Sequence, residues 1–249
     1  MGIFNLFKKK KNEVLPPFDI SKFKVDIHSH LIPGIDDGSQ NMDQTIAMLA
    51  KFESMGYKKI ITTPHVMSDS YPNNRETILG GLVDVKKEMK KVGLKIELEA
   101  AAEYYFDETL MVKIKEKDLL TFGDNYVLVE FAFHSPPQYL DQLFFEMQTR
   151  GYRPVVAHFE RYMYYLGKID QAIAWRQKGI NIQVNLNSLT GHYGPDIRKQ
   201  AERLIDAGEF DFVGTDCHRI EHLMLLEENL HLPHFHKIGN YLIKNLVLQ

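Results

Sequence analysis

The sequence predicts an α/β protein built on a parallel sheet that is closed, or nearly closed, into a barrel. Seven short apolar runs of strand character alternate with longer amphipathic stretches. Several of those stretches stop at a glycine (Gly56, Gly93, Gly151, Gly179, Gly208), and no linker-like shift of composition divides the 249 residues. Strand–helix alternation repeated this often implies parallel strands joined by helical crossovers. One barrel of this kind ordinarily takes about 250 residues. Strand order is not written in a sequence, so an open doubly wound sheet is the alternative.

Residues 1–22 read as a flexible basic leader. A short apolar patch (Ile3, Phe4, Leu6, Phe7) precedes four lysines at 8–11, and Pro16-Pro17 forms a stiff end. The charges follow the patch instead of preceding it, and the patch is too short for a signal peptide. Gly2 lacks the Ser or Thr that a myristoylation motif carries where Leu6 stands. A solvated tail is the plain reading, and weak contact with an anionic membrane the alternative. A single domain then runs over 23–249. Strands are predicted at 24–28, 59–63, 95–101, 126–131, 153–157, 181–185 and 212–215. Helices are predicted at 42–55, 77–92, 107–116, 139–150, 169–178 and 196–207.

Composition excludes several classes. The net charge of -3 gives no field that would draw nucleic acid. The one cysteine, Cys217, rules out a disulfide framework and a Cys-based zinc site, and it fits a cytoplasmic setting. No run approaches the roughly 20 apolar residues of a membrane-spanning helix.

The chemistry lies at the strand ends. The first strand closes in Val25-Asp26-Ile27-His28-Ser29-His30, where two imidazoles one residue apart point to the same side and can grip one ion. His-x-His alone is a weak motif, and two surface histidines are its bland reading. Nearly every other strand, however, also runs into a candidate ligand. These are His65 after Thr62-Thr63-Pro64, Glu103 after the third strand, Glu130 amid apolar residues of the fourth, His158 at the end of the fifth, and Asp216 and His218 at the end of the seventh. All strand C-termini of a parallel barrel lie on one face, so these residues converge. The donors are nitrogen and oxygen only, which suits Mn²⁺, Zn²⁺ or iron, and they are too many for one ion. No nucleotide-binding glycine loop and no Gly-x-Ser-x-Gly elbow occurs. A thiol phosphatase built on Cys217 would need an arginine where Leu223 stands.

These segments resemble the polymerase and histidinol phosphatase (PHP) superfamily, whose fold is a distorted (β/α)7 TIM-like barrel. Asp36-Asp37-Gly38, Glu103-Tyr104-Tyr105 and His158-Phe159-Glu160-Arg161-Tyr162 resemble its bacterial protein-tyrosine phosphatase branch, which is tied to capsule and exopolysaccharide synthesis. The resemblance covers about residues 24–220. It implies a metal-dependent phosphatase with two or three ions, Mn²⁺ first and Zn²⁺ or Fe as alternatives. Carried over, His28, His30, Glu103 and Asp216 would hold the first ion. Glu103, Glu130 and His158 would hold the second, and Asp36, His65 and His218 the third. Arg161 resembles the phosphate-binding arginine, with Arg219 assisting. The substrate implied is a phosphotyrosine protein, such as a membrane-associated bacterial tyrosine kinase, met in the cytoplasm at the inner face of the membrane.

A phenolate of pKa near 10 leaves far more readily than an alkoxide, so a strong general acid is less necessary. Asp37 is then a candidate proton donor, or equally a cap of the helix near Met42. Tyr104, Tyr162 and His134 are candidate substrate contacts beside the aromatic loop at 131–137. Two other functions fit the same motifs: a phosphatase of small metabolites such as histidinol phosphate, and a metal-stabilised regulator that binds a phosphoprotein without turnover.

Overall fold

The computed structural model describes residues 15–248. The expectations placed on the lysine run and on the apolar patch before it fall outside those residues. Among the described residues nine short strands form: β1 (Val25–Asp26), β2 (Lys59–Thr62), β3 (His65–Val66), β4 (Glu97–Ala100), β5 (Glu103–Tyr105), β6 (Tyr126–Glu130), β7 (Arg153–Val156), β8 (Asn181–Asn185) and β9 (Phe212–Gly214). They pair in the orders β1-β2-β4 and β3-β5-β6-β7-β8-β9, every ladder parallel.

The nine pieces occupy seven strand positions. The predicted strands at 59–63 and 95–101 each continue past a kink into a second piece that was not predicted, β2 into β3 across Thr63-Pro64 and β4 into β5 across Ala101-Ala102. Pro64 has no N–H for a ladder, yet its carbonyl accepts from Glu103 N at 3.1 Å, and Ala101 N donates to Thr62 O at 2.9 Å. Hydrogen bonding therefore steps across both kinks together. The ring closes where the chain beyond β1 meets the chain beyond β9. Asp216 N donates to His28 O at 2.7 Å and His30 N to Cys217 O at 2.9 Å. This closure excludes the open sheet and gives a distorted (β/α)7 barrel.

The six predicted helices stand as α1 (Met42–Ser54), α2 (Arg75–Val92), α3 (Glu108–Glu116), α4 (Leu140–Thr149) and α5 (Asp170–Gln177), with the sixth at Pro195–Ala207. Unforeseen are α6 (Leu186–Thr190), which precedes that sixth helix and makes it α7, α8 (Ile220–Glu228) and α9 (Pro233–Ile238). Asn41, not Asp37, caps α1, its side chain accepting from Gln44 N. Asn74 and Thr77 form a reciprocal box at the start of α2, which ends at Gly93 in the left-handed conformation, φ 83°. Pro233 opens α9 at the first turn, where its missing N–H costs nothing.

The core has two parts. Val25, Ile27, Ile61, Ala101, Leu128, Val155 and Phe212 fill the barrel. A larger layer packs the helices on its outside. The predicted domain start at residue 23 is too late. Phe18 and Ile20 are buried, and Phe18 N donates to Leu230 O at 2.9 Å, so this part of the presumed leader belongs to the packed body.

Candidate metal centre

Side chains two apart on a strand share a face. Ala101 and Glu103 flank the kink, and Leu128 and Glu130 lie on β6, so each carboxylate stands one layer above the apolar plug. The histidines reach the same rim from just beyond β1 (His28, His30), from β3 (His65), from the end of β7 (His158) and from just beyond β9 (His218). Backbone crowding supports the arrangement. A Cβ on Gly214 would lie 2.6 Å from that of His28, and one on Gly38 only 2.3 Å from that of His30, so both positions require glycine. His158 (φ 30°) and Asp216 (φ 51°) are held left-handed, a strain of about 1–3 kcal/mol each that only a well-determined surround sustains.

Glu103 is the hub. Its Oε2 lies 3.2 Å from His28 Nε2, 3.2 Å from His65 Nδ1 and 3.5 Å from His30 Nε2, and its Oε1 lies 3.2 Å from His158 Nε2. Asp216 Oδ1 stands 3.4 Å from each of His28, His30 and His218. Glu130 is 3.5 Å from His158 and 3.8 Å from His65. Burial alone would raise the Glu103 and Asp216 carboxyls. The imidazoles around them, His28 and His65 for Glu103 and His28 and His218 for Asp216, outweigh burial and hold both well below the usual range. Burial opposes charge on His158 too, as does Arg161. Glu103 and Glu130 nevertheless push it up to about 9.

Both Glu103 oxygens, His28 Nε2, His30 Nε2 and His65 Nδ1 are buried with no hydrogen-bond partner among the described residues. Orphaned polar atoms of this kind are costly unless a cation meets them. The opposite ring nitrogens are anchored. His28 Nδ1 pairs with Gln183 Oε1 at 3.1 Å and His30 Nδ1 with Asp36 Oδ2 at 2.8 Å, which leaves the inner lone pairs free. Four donor groups lie within reach of single ions: His28, His30 and Asp216; His28, Glu103 and His158; His65, Glu103 and Glu130; and His30, Asp37, His65 and His218. The donor set fits divalent ions that accept nitrogen and oxygen.

A cleft of about 550 Å³ opens over this cluster. On its wall Arg161 is sandwiched between Phe133 and Tyr193, 4.4 Å from each ring centroid, and donates to Asp216 Oδ2 at 2.9 Å. Asn185 Nδ2 donates to the same oxygen at 2.9 Å. Buried Glu160 accepts from Asn185 N and Ser188 Oγ, fixing the turn that carries Arg161 to the end of β8.

The chain matches the family described as capsular polysaccharide synthesis, CpsB/CapC, over residues 24–228. It belongs to the CpsB/CapC family. CapC of Staphylococcus aureus is 33% identical over 199 residues, 79% of this chain and 77% of that protein. The tyrosine-protein phosphatase YwqE of Bacillus subtilis is 29% identical over 198 residues, 79% and 78% of the two chains. A solved structure from work on YwqE and on CpsB of Streptococcus pneumoniae, described as metal-dependent tyrosine phosphatases, superposes with a TM-score of 0.76 at 26% identity. It covers 90% of this chain and 93% of that one.

Within this CpsB/CapC chain, several expected roles do not match the positions. Asp36 does not face His65 and His218 side chains. It turns inward, accepting from His30 Nδ1 and from the N–H groups of Gly38 and His65, which occupies its oxygens. Burial would raise it, but His30 lowers it to about 2. Asp37 is the carboxylate that meets those rings, 3.5 Å from His65 Nε2 and 3.4 Å from His218 Nε2, so it stands among the ligand candidates and not apart as a proton donor. Tyr104 points away from the rim, its hydroxyl accepting from Leu120 N at 2.7 Å. Tyr162 is fully buried, its hydroxyl accepting from Phe131 N. His134 is exposed and does not line the cleft, although its neighbour Phe133 does. Arg219 does line it, its Nε donating to His222 Nε2 at 3.2 Å.

Tyr71, His192, Tyr193 and His222 line the cleft without having been singled out as site residues. Tyr71 stacks on His65 at 5.5 Å and 12°. His222 is buried, and burial with His218 pushes it down to about 4.

Proposed function

We propose that this chain is a metal-dependent protein-tyrosine phosphatase of capsule or exopolysaccharide synthesis. One observation carries the reading: a fully buried Glu103 carboxylate, unbonded at both oxygens, ringed by four imidazoles under an arginine-walled cleft. His28, His30, Asp37, His65, Glu103, Glu130, His158, Asp216 and His218 would hold divalent ions, which would supply Lewis acidity and hydroxide at neutral pH. Manganese is the first choice of metal, with zinc and iron the alternatives the donors accept.

The chain's own groups do the rest. Arg161, held flat by Phe133 and Tyr193, has N–H groups beyond the one given to Asp216 with which to pair phosphoryl oxygens. Asp36 and Gln183 keep the outer protons on His30 and His28, so the inner nitrogens face the centre. Tyr71 and Phe133 give the cleft aromatic walls that suit a phenyl ring. Arg219 adds positive charge at the mouth. A tyrosyl phosphate needs little protonation of its leaving oxygen.

The substrate in this reading is a phosphotyrosine protein, which the tyrosine-phosphatase relatives support, and its proposed partner is a bacterial tyrosine kinase of the same pathway. Among the described residues no helix is long and apolar enough to cross a membrane. In this reading the place of action is the cytoplasm, at the membrane's inner face beside such a kinase. With Mn²⁺ the protein should release phosphate from phosphotyrosine peptides much faster than from histidinol phosphate. The reverse ranking would make it a metabolite phosphatase, and binding without release would make it a regulator.

A further inference from the structure

A second depression, of about 440 Å³, adjoins the catalytic cleft between α1 and α8. The two share Asp37, His218 and Arg219, so they form one continuous surface. Both helices start at the rim that carries the metal centre and run away from it, so the groove begins at the reacting phosphate and leads outward. Its floor is apolar, made by buried Met48, exposed Ala47 and half-buried Ile220. Gln44 and Glu221 form its walls, and an ion pair between Lys51 and Glu227 ties the two helices further along.

A small phosphate ester would end inside the cleft. A phosphotyrosine within a protein cannot, because its main chain continues on both sides at about 3.3–3.6 Å per residue. That chain must lie on a surface continuous with the cleft, and an apolar floor beside it rewards an apolar neighbour of the tyrosine. We propose that the α1/α8 groove is a specificity subsite for the peptide flanking the phosphotyrosine, seating an apolar side chain over Ala47 and Met48. The proposal rests on the phosphatase reading of the cleft.

The test fills the groove from positions outside the metal centre. Ala47→Trp and Gln44→Trp each place a large ring at an exposed site on α1. Manganese-loaded full-length protein is assayed on free phosphotyrosine and on a short phosphotyrosine peptide with leucines beside the phosphorylated residue. In both variants kcat/KM for the peptide should fall about tenfold or more, chiefly through KM, while free phosphotyrosine stays within about twofold. If the two substrates move together, or neither moves, the subsite does not exist. Should wild-type protein release phosphate from neither, the phosphatase reading falls instead. The groove is then judged by binding a phosphonate analogue of the peptide: loss of binding in both variants upholds it, and unchanged binding overturns it.

Discussion

At the residue scale, some side chains face the ions and others hold in place those that do. His158 Nε2 is 3.2 Å from Glu103, and the ring contributes nothing to the apolar plug. His158→Ala should therefore lower kcat by on the order of 100-fold or more while circular dichroism stays native. Asp36 acts one step removed, through His30. Asp36→Asn should cost about 10–100-fold in metal affinity, read by titration with Mn²⁺. Arg161→Ala should lower kcat/KM by about 100- to 1,000-fold when assayed at saturating Mn²⁺, since it removes an electrostatic contact and not a ligand. The sequence made His28, His30, His65, Glu103, Glu130, His158, Asp216 and His218 legible because polar groups at the ends of apolar strands need partners. It put the ligand role on Asp36 and the proton-donor role on Asp37, whereas which of two adjacent loop carboxylates turns inward depends on loop backbone. Tyr104 was misread against a rule already available: next to an inward Glu103, a strand residue faces out.

At the scale of elements, the join between β1 and β9 sets the cluster's geometry. Asp26 fastens it, accepting from Thr215 N at 2.8 Å and Thr215 Oγ1 at 3.1 Å, one residue before Asp216. Burial pushes the Asp26 carboxyl up to about 7 from 3.8. The folded state thus holds this proton more tightly than the unfolded chain. Its contribution to stability is full below about pH 4 and is lost as pH rises through about 7. Urea titrations of chelator-treated protein should show a decline in unfolding free energy over that window which flattens in Asp26→Asn, a variant of the same shape. A decline of equal slope in both would remove Asp26 as the cause. Helices with an apolar period and a glycine stop, such as α1 and α2, were readable from local signals. The kinks at Pro64 and Ala101 were not, because they satisfy pairing between two strands, and α8 was hidden behind the ligands that precede it.

At the scale of the whole molecule, the barrel concentrates charge that its own packing leaves uncompensated. The cations should then stabilise the fold as well as activate it. Removing them with a chelator should abolish phosphate release and lower Tm, and added Mn²⁺ should restore both. The barrel was legible from strand–helix alternation, and seven units in one chain pointed to its closure. Where the ring joins was not legible, since that depends on Ser29 meeting Cys217 across the length of the chain. The most direct measurement is anomalous diffraction at the manganese edge from crystals grown with that metal. Two or three peaks are expected around the Glu103 carboxylate, each flanked by imidazoles of His28, His30, His65, His158 or His218. A rim that binds no manganese, or peaks confined to surface carboxylates, would contradict the metal centre.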